Sequence, residues 1–140
     1  MHSTGSGCTY DDMRSMKNQN YDGIDRLTGL YNGEYALKEI QAYMEQNPEC
    51  TAAVYIMDID NFRTVDETLG RLFGNEIMKE IAAAICQVFR KQAVIGRIGG
   101  DKFLIFEKNY ESVDRIRENA EELCHRARST FKGEDQNFVI

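Results

Sequence analysis

The sequence predicts a single α/β domain, with one mixed, largely antiparallel sheet flanked by helices as an α+β sandwich. Three observations predict it. Ala52 to Met57 is a continuous apolar run that stops abruptly at Asp58 and Asp60, the pattern of a central strand buried on both faces. Apolar residues recur at helical spacing before this run, after it and again near the C-terminus. Two short apolar segments, Ala93 to Ile98 and Lys102 to Phe106, flank Gly99 and Gly100, as in an antiparallel hairpin with a glycine-dependent turn.

The length of 140 residues suits one domain. A chain of this size buries roughly 70% of the surface its unfolded form exposes. The net charge of -6 argues against general binding to nucleic-acid backbones or anionic membranes. No apolar run approaches the roughly 20 residues that span a bilayer. Cys8, Cys50, Cys86 and Cys124 are widely spaced with no CxxC pair, poor for zinc and for a disulfide framework. A reduced, cytoplasmic protein is expected.

Residues 1–24 are polar and weakly patterned, and read as a tail or linker preceding a domain over 25–140. Asn32 is a candidate N-cap for a helix whose stripe is Leu37, Ile40 and Met44, ended by Asn47 and Pro48. After the apolar strand comes a short helix to about Leu69, a break at Gly70, and a longer helix from about Asn75. Ile77, Met78, Ile81, Ile85 and Val88 make the stripe of that second helix. The hairpin follows. Ser112 then caps a last helix with Val113, Ile116, Ala120, Leu123, Ala127 and Phe131 on one face, ended by Gly133. Asn137 to Ile140 read as the opening of another strand.

Two acids are informatively placed. Asp58 closes a strand and Asp101 lies just beyond a hairpin turn. If the strands are neighbours, both carboxylates point into one crevice at the sheet's edge. A pair of carboxylates from different strands is what Mg²⁺ takes when its other ligands are waters and substrate phosphates. The plain alternative is that both are turn residues, as strand-closing Asp and paired Gly often are. Asp58, Asp60 and Asn61 also echo the start of an EF-hand loop, but Phe62 and Arg63 fall where an oxygen ligand and a glycine are needed.

Three co-linear stretches, DRLTGLYN (Asp25 to Asn32), DIDNFRTVDETLGRLFGN (Asp58 to Asn75) and RIGGDKF (Arg97 to Phe103), resemble the successive signatures of GGDEF domains. That resemblance implies a nucleotide-cyclase or polymerase-palm-like fold. It also implies an origin among diguanylate cyclases, which condense two GTP into cyclic di-GMP across two facing domains. By position, Asp58 and Asp101 would hold Mg²⁺ with the Ile59 carbonyl assisting. Phe62 and Arg63 would lie near base and phosphates, with Gly99 and Gly100 leaving room for the nucleotide. Asp66 and Asn75 would stand where guanine is recognised.

The departures from the family pattern concentrate at this site. The family has an acid where Lys102 stands, and that acid helps the second metal or the attacking hydroxyl. An ammonium does neither, and at roughly 6 Å it opposes a divalent ion by several kcal/mol at an effective dielectric near 20. Lys102 would instead meet phosphate as a point charge. Asp66 and Asn75 exchange the family's amide and acid. Of the family's inhibitory RxxD motif only Arg90 remains, since Ala93 replaces the aspartate; Arg90 also suits a helix C-terminus. The family continues beyond Ile140, so the domain is expected to be truncated at its C-terminal end. The expectation is a degenerate, catalytically impaired GGDEF domain serving as a regulatory GTP-binding or protein-interaction module, as a homodimer or beside a sensor domain. An active cyclase and a purely structural interaction domain are the alternatives.

Overall fold

A computed structural model describes residues 23–90 and 93–134. The expected N-terminal tail through Asp22, the side chain of Phe131 and the expected strand opening at Asn137 lie outside the described residues. Within them the chain runs β1 (Tyr31–Asn32), α1 (Gly33–Gln46), β2 (Ala52–Asp58), α2 (Phe62–Leu69), α3 (Arg71–Phe89), β3 (Ala93–Arg97), β4 (Lys102–Lys108) and α4 (Val113–Glu134). One mixed sheet has the order β1-β3-β4-β2, with β1 parallel to β3 and the other two pairings antiparallel. The α/β class read from the sequence is the class observed.

The alternation of side chains along the strands divides the core into two layers. Tyr55 of β2, Ile95 of β3 and Phe103 and Ile105 of β4 pack with Ile77, Met78, Ile81 and Ile85 of α3 and Leu123 and Ala127 of α4. On the opposite face Val94, Leu104 and Phe106 pack with Ala36 of α1, Ile24 and Tyr31. Tyr55 also ties three elements together: its hydroxyl donates to Glu107 Oε1 at 2.6 Å and accepts weakly from Asn119 of α4. Burial, and then the bond to Glu107, push its phenol up to about 12, so it stays a neutral donor at ordinary pH.

Several local expectations are corrected. The apolar run Ala52 to Met57 is not covered on both faces. Among the described residues β2 is an edge strand, with Val54 and Ile56 60% and 58% exposed. On α1, Ile40 of the expected stripe packs against the sheet, but Leu37 and Met44 face solvent, and Ala36 and Tyr43 take their places. Gly70 has φ 96° and ψ 157°, a left-handed φ that glycine adopts without penalty. The chain therefore turns in one residue, and α3 starts at Arg71 rather than near Asn75. Helix α4 runs through Gly133 to Glu134, and Val113 in its first turn is exposed. Two capping expectations match. Asn32 Oδ1 accepts from the Tyr35 N–H at 2.8 Å, and Ser112 Oγ from the Arg115 N–H at 3.0 Å.

On the α1 face a helix approaches the sheet closely. Gly96 in β3 lets α1 come so near that a Cβ there would lie 2.7 Å from Ala36 Cβ and 3.3 Å from the Tyr31 carbonyl oxygen. Both neighbours are held by backbone, so neither yields cheaply. Gly96→Ala is expected to cost about 1–3 kcal/mol through overpacking. Urea denaturation should show a lower midpoint with an unchanged slope.

Candidate functional site

The antiparallel ladder of β2 and β4 ends on the pair Asp58↔Lys102. Residues directly opposite in such a ladder project from the same face, so the Asp58 carboxylate and the Lys102 ammonium stand side by side. Asp101, immediately before Lys102, brings the second carboxylate. Lys102 Nζ lies 3.6 Å from Asp58 Oδ2 and 3.6 Å from Asp101 Oδ1. The hairpin tip is fixed to the end of β2 by the Ile59 N–H, which donates to the Asp101 carbonyl at 2.9 Å, and Ile59 is itself buried. Asp58, Ile59, Asp101 and Lys102 are thus brought together. The Lys102 side chain is 46% exposed, so each ion pair contributes at most about 1 kcal/mol to stability. Their effect is on local charge.

Gly99 and Gly100 form the tip, and neither has a left-handed φ. A Cβ on Gly100 would meet nothing within 4 Å, and one on Gly99 only Lys102 Cβ at 4.0 Å. The expected glycine-dependent turn is therefore corrected: what the two glycines leave is open space, not a backbone only they can adopt.

The remaining sequence-selected residues form a second group at the α2–α3 corner. A Cβ on Gly74 would lie 2.7 Å from Asp66 Oδ1 and 3.1 Å from Phe62 Cζ, which shows how tightly these side chains close over that glycine. Asn75 follows it on α3 and is half-buried. Asp66 also pairs loosely with Arg71 at 4.0 Å, and the largely exposed Arg63 with Glu67 at 4.0 Å. Arg90 is elsewhere. It ends α3 before the start of β3, and β3 must run roughly 16 Å before the chain reaches the hairpin. Lys91 and Gln92 of the degenerate motif lie outside the described residues.

Sequence reasoning missed the strut that supports the hairpin. Arg97 Nη2 donates to the Gly100 carbonyl at 2.6 Å, while Nη1 reaches both carboxylate oxygens of Asp25 at 3.4 Å. Asp25 is fixed in turn by the Thr28 N–H and hydroxyl, at 2.9 and 2.6 Å. The only signal in the sequence was that two opposite charges, Asp25 and Arg97, each open a motif. A separate cavity of about 280 Å³ lies between β2 and α4, lined by Tyr55, Met57, Leu123, Cys124, Ala127 and Arg128 among others. It reaches Asp58, Ile59 and Asp60 at the end of β2 but none of Asp101, Lys102, Phe62, Asp66 or Asn75, so it adjoins the acid crevice from the α4 side.

Fold and site together define an open-sheet α/β domain with an acidic pair at the ends of two adjacent strands. A family model described as "Diguanylate cyclase, GGDEF domain" matches residues 23–140, and the chain belongs to the GGDEF family of cyclic di-GMP signalling proteins. It is 32% identical over 108 residues to the probable diguanylate cyclase DgcT of Escherichia coli, covering 71% of this chain and 23% of that protein. It is 29% identical over 108 residues to the cyclic di-GMP phosphodiesterase PdeR of the same organism, covering 77% and 16%. The chain thus spans under a quarter of the length of these curated relatives. Among solved structures, the GGDEF domain of DgcB from Caulobacter crescentus, in complex with c-di-GMP, superposes with a TM-score of 0.70. The identity there is 24%, covering 79% of this chain and 66% of that one. The FimX GGDEF domain from Pseudomonas aeruginosa gives 0.68 at 16% identity, covering 76% and 67%. These likenesses establish the fold.

The Arg97 strut has a measurable consequence. Arg97→Ala removes a charge-assisted bond to Gly100 and leaves Asp25 without its cation, at a cost of about 1–3 kcal/mol. Amide exchange at Ile59 and Ile98, whose N–H groups hold the hairpin, is expected to accelerate more than exchange in α3.

Proposed function

We propose that this GGDEF domain has lost cyclase chemistry and serves as a regulatory module within a longer cyclic di-GMP signalling protein. The observation that carries this reading is Lys102, whose ammonium lies 3.6 Å from a carboxylate oxygen of both Asp58 and Asp101. The family position opposite Asp58 is acidic, and an ammonium there neither accepts a proton from an attacking hydroxyl nor ligates a metal. The donor set does not fit Mg²⁺. A divalent ion needs open carboxylate oxygens, and here one oxygen of each carboxylate faces a cation.

The α2–α3 corner supports a retained role in nucleotide recognition. Asp66 and Asn75 supply one acid and one amide for guanine's donor edge, beside the ring of Phe62. GTP is therefore the ligand to test. The relatives also support a regulatory role: the chain matches a protein named a probable cyclase and others named phosphodiesterases, as a small part of each. Among the described residues no helix is long and apolar enough to cross a membrane. We place the domain in the cytoplasm, acting beside a sensor domain or as a homodimer.

The test is a product assay. The chain is incubated with GTP and either Mg²⁺ or Mn²⁺, and nucleotides are separated chromatographically. No cyclic di-GMP above a protein-free control is expected, while calorimetric titration of GTP reports whether the base corner still binds. Steady turnover to cyclic di-GMP would overturn the proposal.

A further inference from the structure

We infer that Asp58 and Asp101 form a latent divalent-cation site that the Lys102 ammonium keeps closed by occupying the cation's place. The inference builds on the proposed loss of cyclase chemistry but says more: the acid pair is intact, and one tethered charge excludes the metal.

Three observations converge on it. The ladder register puts Lys102 opposite Asp58 on the same face, so the ammonium is delivered to this carboxylate by the strand itself. The Nζ distance is 3.6 Å to each acid, so one cation serves both. The hairpin tip that carries Asp101 is held to β2 through Ile59 and to Arg97 through Gly100, which keeps the second carboxylate near the first whether or not the ammonium is there.

The competition is intramolecular. A hydrated divalent ion binds from dilute solution and gives up waters reluctantly. The ammonium is always present, at an effective concentration set by its four-carbon tether. It also leaves the group of three side chains with one net negative charge instead of two, weakening the attraction that an incoming dication feels. The opposing view is that Lys102 makes ordinary surface ion pairs that swing away at no cost, as half-exposed pairs often do. The two views differ in the metal affinity expected once the charge is removed.

The experiment titrates Mn²⁺, without nucleotide, into the wild-type chain, Lys102→Met and Lys102→Arg, and follows free Mn²⁺ by electron paramagnetic resonance. Lys102→Met should bind one Mn²⁺ at least about tenfold more tightly than wild type. Lys102→Arg, which keeps the charge, should stay as weak as wild type. Adding Asp58→Asn to Lys102→Met should abolish the gain. Lys102 is half-exposed, so these variants are expected to fold, and Lys102→Gln provides a second neutral side chain if Met does not. Equal Mn²⁺ affinity in wild type and the neutral variants overturns the inference, as does a gain that survives Asp58→Asn. Either result without cyclic di-GMP formation leaves the proposed function standing, whereas product from the wild-type chain would overturn that function whatever the Mn²⁺ affinities.

Discussion

The antiparallel pairing of β2 with β4 is the constraint on which the site depends. The ladder runs unbroken from Ala52↔Lys108 to Asp58↔Lys102, and its side-chain period is two. A slip of one residue would carry Phe103 and Ile105 out of the core, and both are fully buried against α3 and α4. The hydrophobic core therefore fixes the register, and the register fixes Lys102 beside Asp58. The charged arrangement at the sheet's end is thus specified by the apolar residues that set the strand register. Its own ion pairs are too exposed to contribute much to folding.

A second set of contacts holds the remaining carboxylate. Asp101 sits in the loop between β3 and β4, where an unsupported tip would sample many positions. Arg97 and Asp25, 72 residues apart in sequence, join that loop to the turn before β1, and Thr28 orients Asp25. This links the first motif to the third, which is itself joined to the second through Ile59 and the Asp58–Lys102 pair. The two glycines leave open space at the tip, and Arg97 holds the tip by its bond to the Gly100 carbonyl.

Much of this was legible in the sequence, and the failures have physical causes. Helix caps at Asn32 and Ser112 were readable because capping is local. The stripe of α3 was readable because Ile77, Met78, Ile81 and Ile85 are fully covered, although at its end Phe89 is buried more deeply than Val88. On α1 only Ile40 of the expected stripe packs inward, since period alone cannot say which of two adjacent faces a narrow sheet will take; Gly96 decides it by admitting Ala36. The run Ala52 to Met57 suggested burial on both faces, but Val54 and Ile56 lie on an edge that the described residues leave uncovered. At the site, the sequence supplies the charge of Lys102 and the expectation that it opposes a metal. That it stands between two carboxylates required the register, and the Asp25–Arg97 contact required the tertiary fold.

The most direct measurement is a crystal structure grown at high Mn²⁺ concentration, with anomalous diffraction collected at the manganese edge. A site closed by its own ammonium should show no anomalous peak between Asp58 and Asp101, with Lys102 Nζ in density near both carboxylates. A strong peak at that point, with the Lys102 side chain turned out to solvent, would contradict the reading of Lys102 as the resident cation.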